Sequence, residues 1–190
     1  GYMSGYPHFA LDGNAILFTT ERYGMRAHAS WGSLNDAMLV FLNQDAYDKY
    51  CLSKEDYELR KELEKEQKKS AGKDTPQGKN KDKKKKYDKK DSNADEKDDQ
   101  PKDIVVELKG IEDRVVRLTP NSSDMGSTII SKDGETLYYL AAFEGGYDLW
   151  KMNLRKKETK LLHKMDAGWA DMQLDKDGKN LFLLGSRKMQ

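Results

Sequence analysis

Three stretches share one pattern of apolar and polar positions: PHFALDGNAILFTT from Pro7, TIISKDGETLYYLA from Thr128 and DMQLDKDGKNLFLL from Asp171. Each has a half-apolar run, an Asp-Gly pair, one or two polar residues and a second apolar run. Asp-Gly between such runs predicts a hairpin, because its central residues tolerate positive φ. The pattern continues beyond the second copy. In YDLWKMNL, alternation puts Trp150, Met152 and Leu154 on one face and Leu149, Lys151 and Asn153 on the other. NDAMLVFL follows the first copy, with Asp36 standing where Asp148 stands after the second. A fourth run closes each unit: DRVVRLT from Asp113 and ETKLLHK from Glu158. The unit is a four-stranded antiparallel meander. Asp133 and Asp177 lie 44 positions apart, within the roughly 40–45 residues of a propeller blade. The fold class predicted is all-β: about two blades of a β-propeller plus the start of a third, with one short helix and a disordered charged insertion.

The spacing between the first two copies is 121 residues, far more than one blade needs. Most of the excess falls in a change of composition. From Lys65 to Asp103 the only aromatic is Tyr87, and Leu, Ile, Phe, Val and Met are absent. Such a segment has too little apolar surface to offset the entropy of ordering it, which predicts disorder. Before it, SKEDYELRKELEKEQ predicts a helix with Ser53 as N-cap, Leu52 and Tyr57 as a staple, and Leu59 and Leu63 one turn apart. The expected organisation is therefore 1–64, first blade with helical extension; 65–103, Lys/Asp-rich insertion; 104–167, the rest of the first blade and the second blade; and 168–190, the start of a third. The third unit stops before its outer strands, which reads as a piece of a longer protein.

Lys plus Arg is 34 and Asp plus Glu 33, for a net charge of +1. KDKKKKYDKK alone suggests a nucleic-acid patch, but the acidic half beginning at Asp91 competes for its lysines. The whole reads as a solvated polyampholyte with no nucleic-acid partner. No apolar run reaches the roughly 18 residues of a membrane span, so no membrane insertion is expected. No G-x-S-x-G elbow and no phosphate-binding Gly loop occurs. His8, His28 and His163 lack partners at metal-ligand spacing. Neither catalytic residues nor cofactor or metal ligands are therefore assigned. Cys51, in AYDKYCL, reads as a buried structural thiol. Asp36 and Asp148 recur, as a structural device at a strand start does, accepting turn N–H groups. Arg114 and Arg117 read as structural too.

The candidate contact residues lie in ERYGMRAHASWG: Arg22, Tyr23, Arg26, His28 and Trp31. Their loop is longer than its counterpart, with 24 residues from Asp12 to Asp36 against 15 from Asp133 to Asp148. Arg and aromatic side chains favour binding surfaces, and rigid scaffolds carry binding loops. The alternative is that Trp31 caps the blade and the arginines pair with nearby carboxylates.

SKDGETLYYLA followed by DLWKMNL resembles the TolB-like propeller repeats. FTTERYGMRAHASWGSLNDAMLVFLN leads into AYDKYCLSKEDYELRKELEKE, a charged spacer and IVVELKGIEDRVVRLTP. That order resembles the N-terminal propeller of tricorn-type serine peptidases over nearly the whole chain outside the spacer. GIEDRVVRLT and RYG…HASWGSLND are its more specific parts. The resemblance implies a non-catalytic segment that gates or guides peptide substrates to a C-terminal serine peptidase domain. Its partners would be the peptide or protein substrate and the other blades and peptidase domain of the same chain. It also implies a periplasmic or exported parent, a cytoplasmic one being the alternative. The competing function is a TolB-like protein-binding propeller with no enzymatic domain.

Overall fold

The computed structural model describes residues 2–24, 33–71 and 103–187. The chain divides into two units, Gly1–Lys54 with Ile104–Gln190, and Glu55–Asp103. The first holds two antiparallel sheets. Sheet one is a four-stranded meander: β1 (Ser4–Ala10), β2 (Ala15–Thr20), β3 (Asp36–Phe41) and β4 (Val115–Arg117). The long excursion separates β3 from β4 in sequence, yet Met38 pairs with Arg117 and Val40 with Val115. Sheet two is β5 (Asp124–Ile130), β6 (Thr136–Ala142), β7 (Tyr147–Asn153), β8 (Glu158–Leu174) and β9 (Leu181–Arg187), also in chain order. The all-β antiparallel class and the four-stranded unit expected from the pattern are both present.

The three Asp-Gly pairs join adjacent strands, as predicted. In the second and third, Gly134 and Gly178 each take φ +71°, which glycine adopts without a Cβ clash. Gly134 N–H donates to Ser131 O and Gly178 N–H to Asp175 O, so these two turns share one geometry. The first departs from it. Leu11, Asp12 and Gly13 all have positive φ, at 55°, 53° and 83°. The two non-glycine residues there accept a cost of about 1–2 kcal/mol each. Asn14 returns part of it by donating through Nδ2 to Leu11 O at 2.8 Å.

The sheets pack face to face. Leu17, Leu39 and Phe41 of sheet one meet Leu137, Tyr139 and Met152 of sheet two in one buried cluster. The alternation in YDLWKMNL holds: Trp150, Met152 and Leu154 join this cluster, while Leu149 points to a second one with Leu140 and Met172. A fully buried Leu or Phe is worth about 1.5–3 kcal/mol. An exposed helix pair such as Arg60–Glu64, 3.4 Å apart, is worth about 0.3–0.5 kcal/mol. The core therefore decides the stability of the fold.

Three features were not in the sequence pattern. β8 runs from Glu158 to Leu174 as one strand, pairing with β7 by its first part and β9 by its second. ETKLLHK and DMQL thus belong to a single bent ribbon. Register shifts at Leu149 and between Ala167 and Trp169 accommodate the bend, as bulges do. Second, an additional helix, α1 (Gln44–Cys51), precedes α2 (Lys54–Ala71). Asn43 caps α1 by accepting from Ala46 N–H at 2.9 Å. Its aromatic face lies on Phe41, with the rings of Tyr47 and Tyr50 at 5.6 and 5.1 Å. Cys51 is therefore exposed, correcting the expectation of a buried thiol: Tyr47 and Tyr50 occupy the inward face. Third, α2 continues to Ala71, past the expected start of disorder at residue 65. Glu, Lys, Gln and Arg are good helix formers even without an apolar face. The remainder of the expected disordered insertion, 72–102, lies outside the described residues.

Candidate functional site

The first strand of each unit is irregular at a similar place. β1 shifts register between Gly5 and His8, β5 between Met125 and Thr128, and β8 between Ala167 and Trp169. A bulge leaves a residue out of the ladder and re-aims side chains. The sequence supplies the cause in two of them. Pro7 removes a ladder donor from β1, and Gly126 weakens β5. Tyr6, just before Pro7, sits at φ 54°.

These bulged segments line one open groove of 580 Å³. β1 contributes Tyr6, Pro7 and His8; β5 contributes Met125 to Thr128; β8 contributes Trp169, Ala170 and Asp171; Tyr147 completes it from β7. Tyr6 and Trp169 are 81% and 52% exposed, so the walls offer aromatic surface. His8 Nδ1–H donates to Tyr6 O at 3.1 Å. Tyr147 Oη–H donates to Asp124 Oδ1 at 2.9 Å. The Tyr147 pKa is pushed up to about 12, first by burial and then by this bond to a carboxylate. The phenol thus stays protonated as a donor. Gly126 lies close to both neighbours: a Cβ there would stand 3.4 Å from Leu140 Cβ and 3.6 Å from Tyr147 Cε1, in van der Waals contact with each. The groove is suited to holding an extended ligand against aromatic faces. Among the described residues no cluster of three or more His, Cys, Asp or Glu side chains is arranged for a metal.

Of the residues singled out in the sequence, Arg22 and Tyr23 are described. Arg26, His28 and Trp31 lie outside the described residues. Tyr23 stacks under two guanidinium groups, Arg22 at 5.6 Å and Arg117 at 5.3 Å from its ring centre. Arg117 in turn is held by the fully buried Asp36, through Nη2 at 2.8 Å and Nε at 3.0 Å. Thr119 and Ser122 also donate to that carboxylate, at 3.0 and 2.8 Å. Arg114 is buried, donating to the carbonyls of Phe41, Lys109 and Glu107. Both arginines are structural, as expected. Asp36 differs from expectation in its partners: side chains of the next strand and of the residues just past it, not turn N–H groups.

The groove was missed in the sequence. Its signal was present as Pro7 and Gly126 inside strand patterns, each a mark of a bulge or close approach.

No family model matches the chain, and no curated protein matches it. Among solved structures, TolB from Acinetobacter baumannii is similar at a TM-score of 0.46 and 11% identity, over 96% of this chain and 27% of that one. The chain thus spans about a quarter of the length of that TolB. No helix among the described residues is long and apolar enough to cross a membrane.

Proposed function

We propose that this chain is part of a β-propeller that holds peptide or protein segments in the groove between its first strands. Following the sequence resemblance to tricorn-type serine peptidases, its task is to guide peptide substrates toward a peptidase domain of the parent protein, exported to the periplasm. The observation that carries the reading is the convergence of three bulged first strands on one open aromatic groove. First strands of blades surround a propeller's central channel, so a ligand held here would lie on the path through the molecule. Arg22 and Tyr23, at the base of the long loop of sheet one, are proposed as further contacts, together with Arg26, His28 and Trp31.

In the parent protein, Ser127→Trp fills the groove. It is expected to lower kcat/KM for long peptides at least several-fold and to leave a short chromogenic substrate unaffected. Equal turnover of long peptides by variant and wild type, or equal loss on both substrates, would overturn guidance. The TolB-like reading, a protein-binding propeller with no enzymatic domain, uses the same groove. It is favoured if the native reading frame encodes no peptidase domain downstream.

A further inference from the structure

We infer that the groove takes the cationic side chain of a lysine or arginine carried by an extended peptide; this rests on the peptide-holding reading above. The lining contains no Lys or Arg. It offers the aromatic rings of Tyr6, Tyr147 and Trp169, whose negative faces attract a cation. Two carboxylates accompany them. Asp171 is on the wall, and Asp124 is tied to the wall by the hydroxyl of Tyr147. Neither carboxylate has an ion-pair partner among the described residues. The contrast with Asp36 is informative, because that carboxylate is saturated by Arg117 and two hydroxyls. Asp124 is fixed on one oxygen only, by a neutral donor that keeps its proton to about pH 12. Aromatic rings, one of them held by Asp124, stand beside two carboxylates whose partners among the described residues are neutral donors, Tyr147 Oη–H for Asp124 and Met172 N–H for Asp171. Together they complement an ammonium or guanidinium group at the end of an apolar stem. The stem would lie along the aromatic faces.

The test uses the full 190-residue chain and three fluorescent ten-residue peptides identical except for a central Lys, norleucine or Glu. Binding is read by polarisation at 0.15 M salt. The Lys peptide is expected to bind about tenfold tighter than the norleucine peptide, the scale of one partly desolvated cation–π contact with a carboxylate. Asp124→Asn with Asp171→Asn should abolish that preference while leaving norleucine binding in place. Trp169→Ala should weaken both. Equal binding of Lys and norleucine, a preference for Glu, or a Lys preference that survives the double Asn variant each overturns the cationic assignment and leaves peptide holding intact. Binding of none of the three overturns both.

Discussion

Sheet one and sheet two each carry an aspartate at the start of the third strand, and both aspartates latch that strand to the fourth. The latches are built differently. Asp36 is fully buried and gathers side chains: Arg117 from β4, with Thr119 and Ser122 just beyond. Asp148 accepts two backbone N–H groups of β8, from Met165 at 2.7 Å and Asp166 at 2.9 Å. The difference follows from the fourth strands. β4 has only three residues and is reached after a long excursion, so few ladder bonds hold it. β8 continues for 17 residues and is held by its ladder; there the aspartate needs only to satisfy amides released by a bulge. A repeated residue can thus keep its task while its partners change with the strand it secures.

If this contrast is right, the cost of removing each latch should differ. Asp36→Ala leaves Arg117, Thr119 and Ser122 without their acceptor. We expect a loss of about 3 kcal/mol, read as a shifted urea midpoint. Asp148→Ala frees two amides at a partly exposed bulge, with an expected loss of about 1–2 kcal/mol. Equal losses would break the comparison. A larger loss for Asp148→Ala would reverse it.

A smaller effect sharpens it further. The residue before the latch is Asn35 in sheet one, bridged by its backbone to Ser123, and Tyr147 in sheet two. The Tyr147 pKa is raised to about 12 by burial and by Asp124, from an unfolded value near 10. Its contribution to stability is therefore complete below about pH 10 and is lost as pH rises toward 12. Tyr147→Phe should remove one late step from the phenolate absorbance titration and flatten stability over that window. If Tyr147 ionises with the ordinary tyrosines near pH 10, the bond to Asp124 is not formed in solution.

Much of the strand order was legible because it rests on local signals. Asp-Gly marks three of the hairpins, β1–β2, β5–β6 and β8–β9, and alternation in YDLWKMNL assigns Trp150 and Leu149 to opposite faces. The pairing of Asp36 with Arg117 was not legible, since 81 residues separate them and no local rule joins them. The α1 helix was visible in principle: Asn43 is a good cap, and Gln44 and Asp48, joined at 2.7 Å, stand one turn apart. Its two half-buried tyrosines do not make the long apolar stripe that announces a helix. The groove escaped because it is made of bulges. A bulge interrupts the period of two by which strands are recognised, so a pattern search passes over the irregular positions that build the site.

The excursion between β3 and β4 is anchored at both ends. Arg155 donates to the carbonyls of Lys49, Tyr50 and Leu52 at the end of α1. Glu107 binds Leu42 O through its N–H and accepts from Gln44 N–H through its carboxylate. With departure and return both fixed, the strands register the intervening length only through loop closure, where each doubling costs about 0.6 kcal/mol. In evolutionary terms, selection on the strands imposes almost no constraint on the length of that stretch. The two strands it connects, neighbours in sheet one, would then keep their pairing through changes in its length or composition.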